Sequence, residues 1–68
     1  MTNRPQVIGE KLKALRGDRT QQEIANAIGV TAMAISQYER GERVPNDEIK
    51  IKIAEYFHKE VGEIFFAT

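Results

Sequence analysis

Residues 21–42, QQEIANAIGVTAMAISQYERGE, constrain the fold of this chain more than any other stretch. They read as two short helices broken by a sharp turn at Gly29. The first would bury Ile24, Ala25 and Ile28, spaced i, i+1, i+4 and so on one helical face. Ala25 is small where two helices must cross closely. Gly29 directly follows the last apolar residue, where a chain leaving a helix often needs positive φ, and glycine takes that conformation without strain. Val30 can plug the turn, and the Thr31 hydroxyl can cap the next helix. That helix would bury Ile35 and Tyr38, at i, i+3, and end before Gly41. Two short helices so joined make a helix-turn-helix, whose second helix is shaped to lie in a DNA major groove.

With ALR before it and YERGERVP at its end, the segment resembles the Cro/CI-type (XRE, lambda-repressor-like) family of regulators. The resemblance runs from about Ile8 to Phe66. It implies an all-α, five-helix DNA-binding domain, with the helix-turn-helix at about residues 20–40 formed by helices two and three. It also implies a sequence-specific regulator of the repressor type, meeting a palindromic operator in double-stranded DNA as a homodimer.

Sixty-eight residues make one domain, and a chain this short buries only about 60% of its unfolded surface. There is no Cys, so neither a disulfide framework nor a Cys-based zinc site is expected. No apolar run approaches the roughly 20 residues that span a membrane. The opening MTNRPQVIGE lacks a signal-peptide core, so a cytoplasmic, nucleoid-associated protein is expected. Ten basic and ten acidic residues cancel, whereas many DNA-binding domains are strongly basic. The charges are not evenly spread: residues 1–43 carry a net +2 and residues 44–68 a net −2. Phosphate attraction acts through the charges that face the duplex, so this balance predicts modest non-specific affinity and a shallow salt slope.

Residues 1–6 read as a flexible arm and residues 7–66 as the domain. Ile8, Leu12 and Leu15 make one apolar stripe on a first helix that starts at Gln6 or Val7 and is stopped by Gly17. Thr20 and Glu23 form a capping box for helix two. Asn46 or Asp47 caps helix four. EIKIKI (residues 48–53) alternates like a strand, but it continues as AEYF, follows a capping pair and has no second strand to join, so helix is expected. Ile49, Ile53, Tyr56 and Phe57 would share its buried face, widened by Ile51 and Ala54. His58 marks a helix end, and a short helix five follows at Val61.

On the outward face of helix three stand Ala32, Met33, Ser36, Gln37 and Arg40, with Thr31 at its start. Ala32 and Met33 suit thymine methyl groups, and Gln37 can pair with adenine N6 and N7. Thr31, Ser36, Arg40 and Arg43 are expected on phosphates. The resemblance assigns Gln21 a phosphate contact at the start of helix two, where backbone N–H groups also favour an anion. It further implies a structural ion pair between Arg16 and Glu39, tying helix one to helix three.

One His, no Cys, no phosphate-binding glycine loop and no metal-ligand spacing leave no catalytic set, so neither enzyme activity nor a cofactor or metal is expected. Adjacent Phe65 and Phe66 cannot both face the helix's own core, which makes them the expected dimer interface. The competing reading is a protein-interaction module, such as the antitoxin of a toxin–antitoxin pair, using the apolar Ala32–Met33 pair on a regulatory partner.

Overall fold

Polar side chains start three of the helices. In a computed structural model of the chain, which describes residues 4–66, Thr20 opens α2 (Gln21–Ile28), Thr31 opens α3 (Ala32–Glu39) and Asn46 opens α4 (Asp47–Tyr56). Each cap accepts the backbone N–H three residues on, at 3.0, 3.0 and 2.9 Å. Thr20 N–H in turn donates to the Glu23 carboxylate at 2.7 Å, closing the capping box. The first helix, α1 (Pro5–Arg16), begins one to two residues earlier than periodicity suggested. Pro5 has no N–H to leave unpaired and its fixed φ suits a first helical position. Of the expected arm, residues 1–3 lie outside the described residues.

Helix ends follow one rule with one exception. Gly29 leaves α2 at φ 90° in the left-handed region, its N–H bonded to the Ala25 carbonyl at 2.8 Å. The α4 terminus makes the corresponding left-handed turn at His58, φ 57°, the non-glycine residue with positive φ among the described residues. Two bonds hold it there, Lys59 N–H to Ala54 carbonyl at 2.9 Å and His58 N–H to Glu55 carbonyl at 3.2 Å. That pair of bonds is a Schellman motif with a Cβ where glycine is preferred. The left-handed conformation costs a side chain about 1–2 kcal/mol, and glycine returns part of that as unfolded-state entropy. His58→Gly is therefore expected to raise stability by about 0.5–1 kcal/mol, seen as a thermal midpoint a few degrees higher. An unchanged or lower midpoint would show that the imidazole contributes more than the strain costs.

The core draws on every helix: Ile8 and Leu12, Ile24, Ala25 and Ile28, Ala34, Ile35 and Tyr38, Ile53 and Ala54, Ile64 and Phe65. Helix α3 lies against both α1 and α2, α4 packs on α2, and the last turn, α5 (Gly62–Phe66), packs on α1. Residues 48–53 are helical, as the flanking sequence indicated. Ile51, however, is 50% exposed and does not widen the buried face. It stands roughly 160° around the helix from Ile53 at 100° per residue. Lys50 takes the half-buried place beside that face instead. Its stem is covered while the ammonium sits 5.7 and 5.1 Å from the ring centroids of Phe65 and Phe66.

Helix α5 separates the two phenylalanines, as their adjacency requires, and removes Phe65 from the expected interface. It is wound as a wide π-helical turn, and it delivers Ile64 and Phe65 to the core while Phe66 turns outward. Phe65 is wholly buried, so it cannot meet a partner without opening the domain; Phe66, 52% exposed, can.

Close approach of α1 to α3 depends on Gly9, buried in the middle of α1. A Cβ there would lie 2.7 Å from the Tyr38 carbonyl oxygen and closer still to that of Glu39. No other residue type fits without moving one helix.

Candidate nucleic-acid interface

The candidate surface is the start of α2, the outer side of α3 and the loop after it. Its geometry rests on one ion pair beneath it. The Arg16 guanidinium donates to both oxygens of the Glu39 carboxylate, Nε to Oε2 at 2.7 Å and Nη2 to Oε1 at 3.1 Å. Their side chains are 18% and 5% exposed. Leu12, Ile24, Ile35, Tyr38, Ile53 and Phe57 wall the space around them. The Glu39 hydrogen bond, first, and its negative charge hold the Arg16 pKa above its ordinary value, so the guanidinium stays charged. The remaining Arg16 nitrogen, Nη1, donates to the Arg19 carbonyl at 2.8 Å. Through that bond α1 also fixes the short loop into α2.

Glu39 holds a third group. Gln21 Nε2 donates to Glu39 Oε1 at 3.0 Å. The residue expected on a phosphate is therefore anchored on its amide nitrogen, and the first turn of α2 is fixed relative to the end of α3. The backbone N–H groups at that end still present the positive pole of the helix.

On α3 the expected readers separate. Met33 projects, 64% exposed. Ala32 is half-buried and packs against the core, one turn before the buried Ile35. Gln37 is half-exposed, and its side-chain amide makes no hydrogen bond among the described residues. Thr31 uses its hydroxyl as a cap. Ser36 accepts a hydrogen bond from Arg40 Nη1. Arg40 also donates to Glu42 through Nε and Nη2, both at 3.0 Å. Arg43 is exposed, with its guanidinium 5.8 Å from the Tyr38 ring centroid.

Three of these partnerships were not legible in the sequence: Gln21 with Glu39, Arg40 with Glu42, and Arg19 with the end of α4. Arg19 lies 5.6 and 5.7 Å from the ring centroids of Tyr56 and Phe57 and donates to the Leu15 carbonyl. Among the described residues no cluster of His, Cys, Asp and Glu is arranged to hold a metal ion, and no helix is long and apolar enough to cross a membrane.

Comparison with known proteins agrees with this geometry. A helix-turn-helix family profile matches residues 11–64. The P22 c2 repressor, solved in complex with a synthetic operator, is similar at TM-score 0.84 and 29% identity, over 88% of this chain and 94% of that one. LexA, an SOS-response transcriptional repressor from Eubacterium rectale, shares the fold at TM-score 0.85 and 23% identity, over 94% of this chain and 70% of its own. The clp gene regulator ClgR from Corynebacterium glutamicum does so at 0.81 and 23%, over 91% and 68%. No curated protein matches the sequence. With the capped helix pair, the left-handed turn at Gly29 and the α1–α3 ion pair, these matches show that the chain belongs to the Cro/CI-type helix-turn-helix family.

Proposed function

We propose that this protein is a sequence-specific regulator of transcription that binds double-stranded DNA, acting as a repressor, with α3 in the major groove. The observation that carries the reading is the outer side of α3. Met33 projects and Gln37 is half-exposed on a helix whose opposite side is locked into the core, on a fold similar to that of a repressor solved with a synthetic operator. Met33 would pack against thymine methyl groups and Gln37 would read adenine. Arg43, with the N-terminal turn of α2 at Gln21, would hold the phosphates. Thr31 and Ser36 would flank them. Ala32, half covered by its own core, would contribute at most an edge contact.

Dimerisation on a palindromic operator would place two copies of α3 about 34 Å apart, one helical turn of DNA. Phe66 is the apolar side chain at the end of the fold that such a partner would cover.

Selection from a random-sequence DNA pool over a salt series tests the reading. A recovered palindrome with half-sites one turn apart supports a dimeric regulator. Binding that is featureless and vanishes below physiological salt would favour a protein partner, at α3 or at the Phe65–Phe66 end, the antitoxin-like alternative. Once a site is known, Gln37→Ala is expected to cost about 1–3 kcal/mol and relax preference at one base position. Arg43→Ala is expected to weaken every sequence about equally and flatten the salt slope by about one unit. Equal weakening of random DNA by both variants would remove Gln37 from the base-reading role.

A further inference from the structure

The ion pair at the end of α3 has little to do with folding. Arg40 and Glu42 are each 53% exposed, and pairs so solvated add little to stability. The pair is nevertheless closely organised. Glu42 Oε2 and Oε1 accept Arg40 Nε and Nη2, and Ser36 Oγ accepts Nη1, so every guanidinium nitrogen has a partner in its own chain. The carboxylate is planted by the backbone, since Glu42 N–H bonds the Gln37 carbonyl at 2.9 Å in the turn that ends α3. The Arg40 hydrogen bond, first, holds the Glu42 carboxyl below the usual carboxylate range, so it stays ionised at neutral pH.

The two parallel N–H groups that Arg40 offers Glu42 are the fork that guanidinium offers a phosphate. A DNA phosphate at this end of α3 has to displace a carboxylate from the same two donors. On the reading that the outer side of α3 meets DNA, we propose that Glu42 is a built-in competitor for the phosphate that Arg40 would otherwise neutralise. While the fork is closed, Arg40 and Glu42 present no net charge to the duplex, and the phosphate in reach of Arg40 keeps its counterion. Glu42 thus sets affinity low and the salt slope shallow. It does so for every DNA sequence, because a phosphate carries no base identity.

The experiment is a binding titration of a random-sequence duplex, followed by fluorescence anisotropy over a salt series. It uses the wild type, Glu42→Gln, Arg40→Gln and the double variant, with thermal melts to verify folding. Glu42→Gln is expected to bind about two- to fivefold more tightly at low salt, the range an exposed ion pair spans. Its plot of log affinity against log salt is expected to steepen by about one unit, the signature of one more neutralised phosphate. In the Arg40→Gln background the same change at Glu42 is expected to leave the slope unchanged. Equal gains in both backgrounds would overturn the proposal, since Glu42 would then only repel phosphates by itself. So would a Glu42→Gln variant indistinguishable from a wild type that binds DNA. If neither protein binds random or selected DNA, the DNA-binding reading falls and this inference with it.

Discussion

Replacing Glu39 by alanine is expected to cost the domain about 2–3 kcal/mol and to weaken DNA binding even though Glu39 itself would touch no DNA. Removing one partner of a buried ion pair costs roughly 3–5 kcal/mol, because the remaining charge is left without compensation. Arg16 keeps 18% of its side chain in solvent and its bond to the Arg19 carbonyl, which places it below that range. A chain of 68 residues has a total stability on the order of 3–10 kcal/mol, so this is a large fraction. The thermal midpoint should fall by about 10–20 °C. The binding effect follows from Gln21, whose amide nitrogen Glu39 also holds. Without the carboxylate, the first turn of α2 is no longer fixed to the end of α3, and the proposed phosphate-facing and base-facing parts of the surface lose their common anchor. Binding is to be measured well below the variant's midpoint, so that lost affinity is not lost folding. Arg16→Met with Glu39→Met is the informative companion. Removing both charges leaves no orphan, and stability should recover more than DNA affinity. A Glu39→Ala protein with an unchanged midpoint would mean that Arg16 finds solvent at no cost and that the pair does not hold α1 to α3.

What the sequence made legible is local. Thr20, Thr31 and Asn46 could be read as caps because a side-chain acceptor and the N–H it bonds lie three residues apart. Residues 48–53 could be rescued from a strand reading because the cap and the following residues extend the helix beyond the alternating stretch. Only the family resemblance pairs Arg16 with Glu39, since nothing local links residues 23 positions apart. The failures share a cause. Periodicity says which side of a helix is apolar, but not how tightly the helix is wound or what faces it. Phe65 and Phe66 differ in burial because neighbours on a helix point to different sides, and apolar spacing does not say which of the two meets the core. Apolar character alone points Ile51 inward, whereas its angle around α4 puts it opposite Ile53. Gln21, Arg19 and Arg40 are long polar side chains for which solvent and several partners are all in reach. Which partner each takes is decided by the tertiary structure.

Gly9 is the position where sequence patterning is most misleading, and Gly9→Ala should reveal it as one of the most sensitive sites in the chain. In an exposed helix interior this change is favourable by about 0.5–1 kcal/mol, since alanine loses less backbone freedom on folding. Here the added methyl meets the carbonyl groups of Tyr38 and Glu39. Those are backbone atoms at the end of α3, so no rotamer change can clear them and one helix must shift. Overpacking costs about 1–3 kcal/mol, and sometimes more where the obstacle cannot yield. The shift also acts at a second point. Arg16 lies seven residues from Gly9, about two turns along the same side of α1, and bonds the carboxylate of the residue whose carbonyl Gly9 touches. Pushing α1 off α3 at Gly9 therefore lengthens the Arg16–Glu39 bonds. A net loss of about 2–3 kcal/mol is expected in spite of the better helix propensity, with the thermal midpoint lower by about 10–20 °C. Gly62→Ala is the matched control. A Cβ there meets nothing within 4 Å, so it should leave the midpoint unchanged or raise it. Because Gly9 and Glu39 act through the same contact, the double variant Gly9→Ala, Glu39→Ala should lose less than the sum of the single losses. A Gly9→Ala protein as stable as its parent, or simple additivity in the double variant, would show that α1 can leave α3 without cost and that the ion pair and the close helix approach are independent.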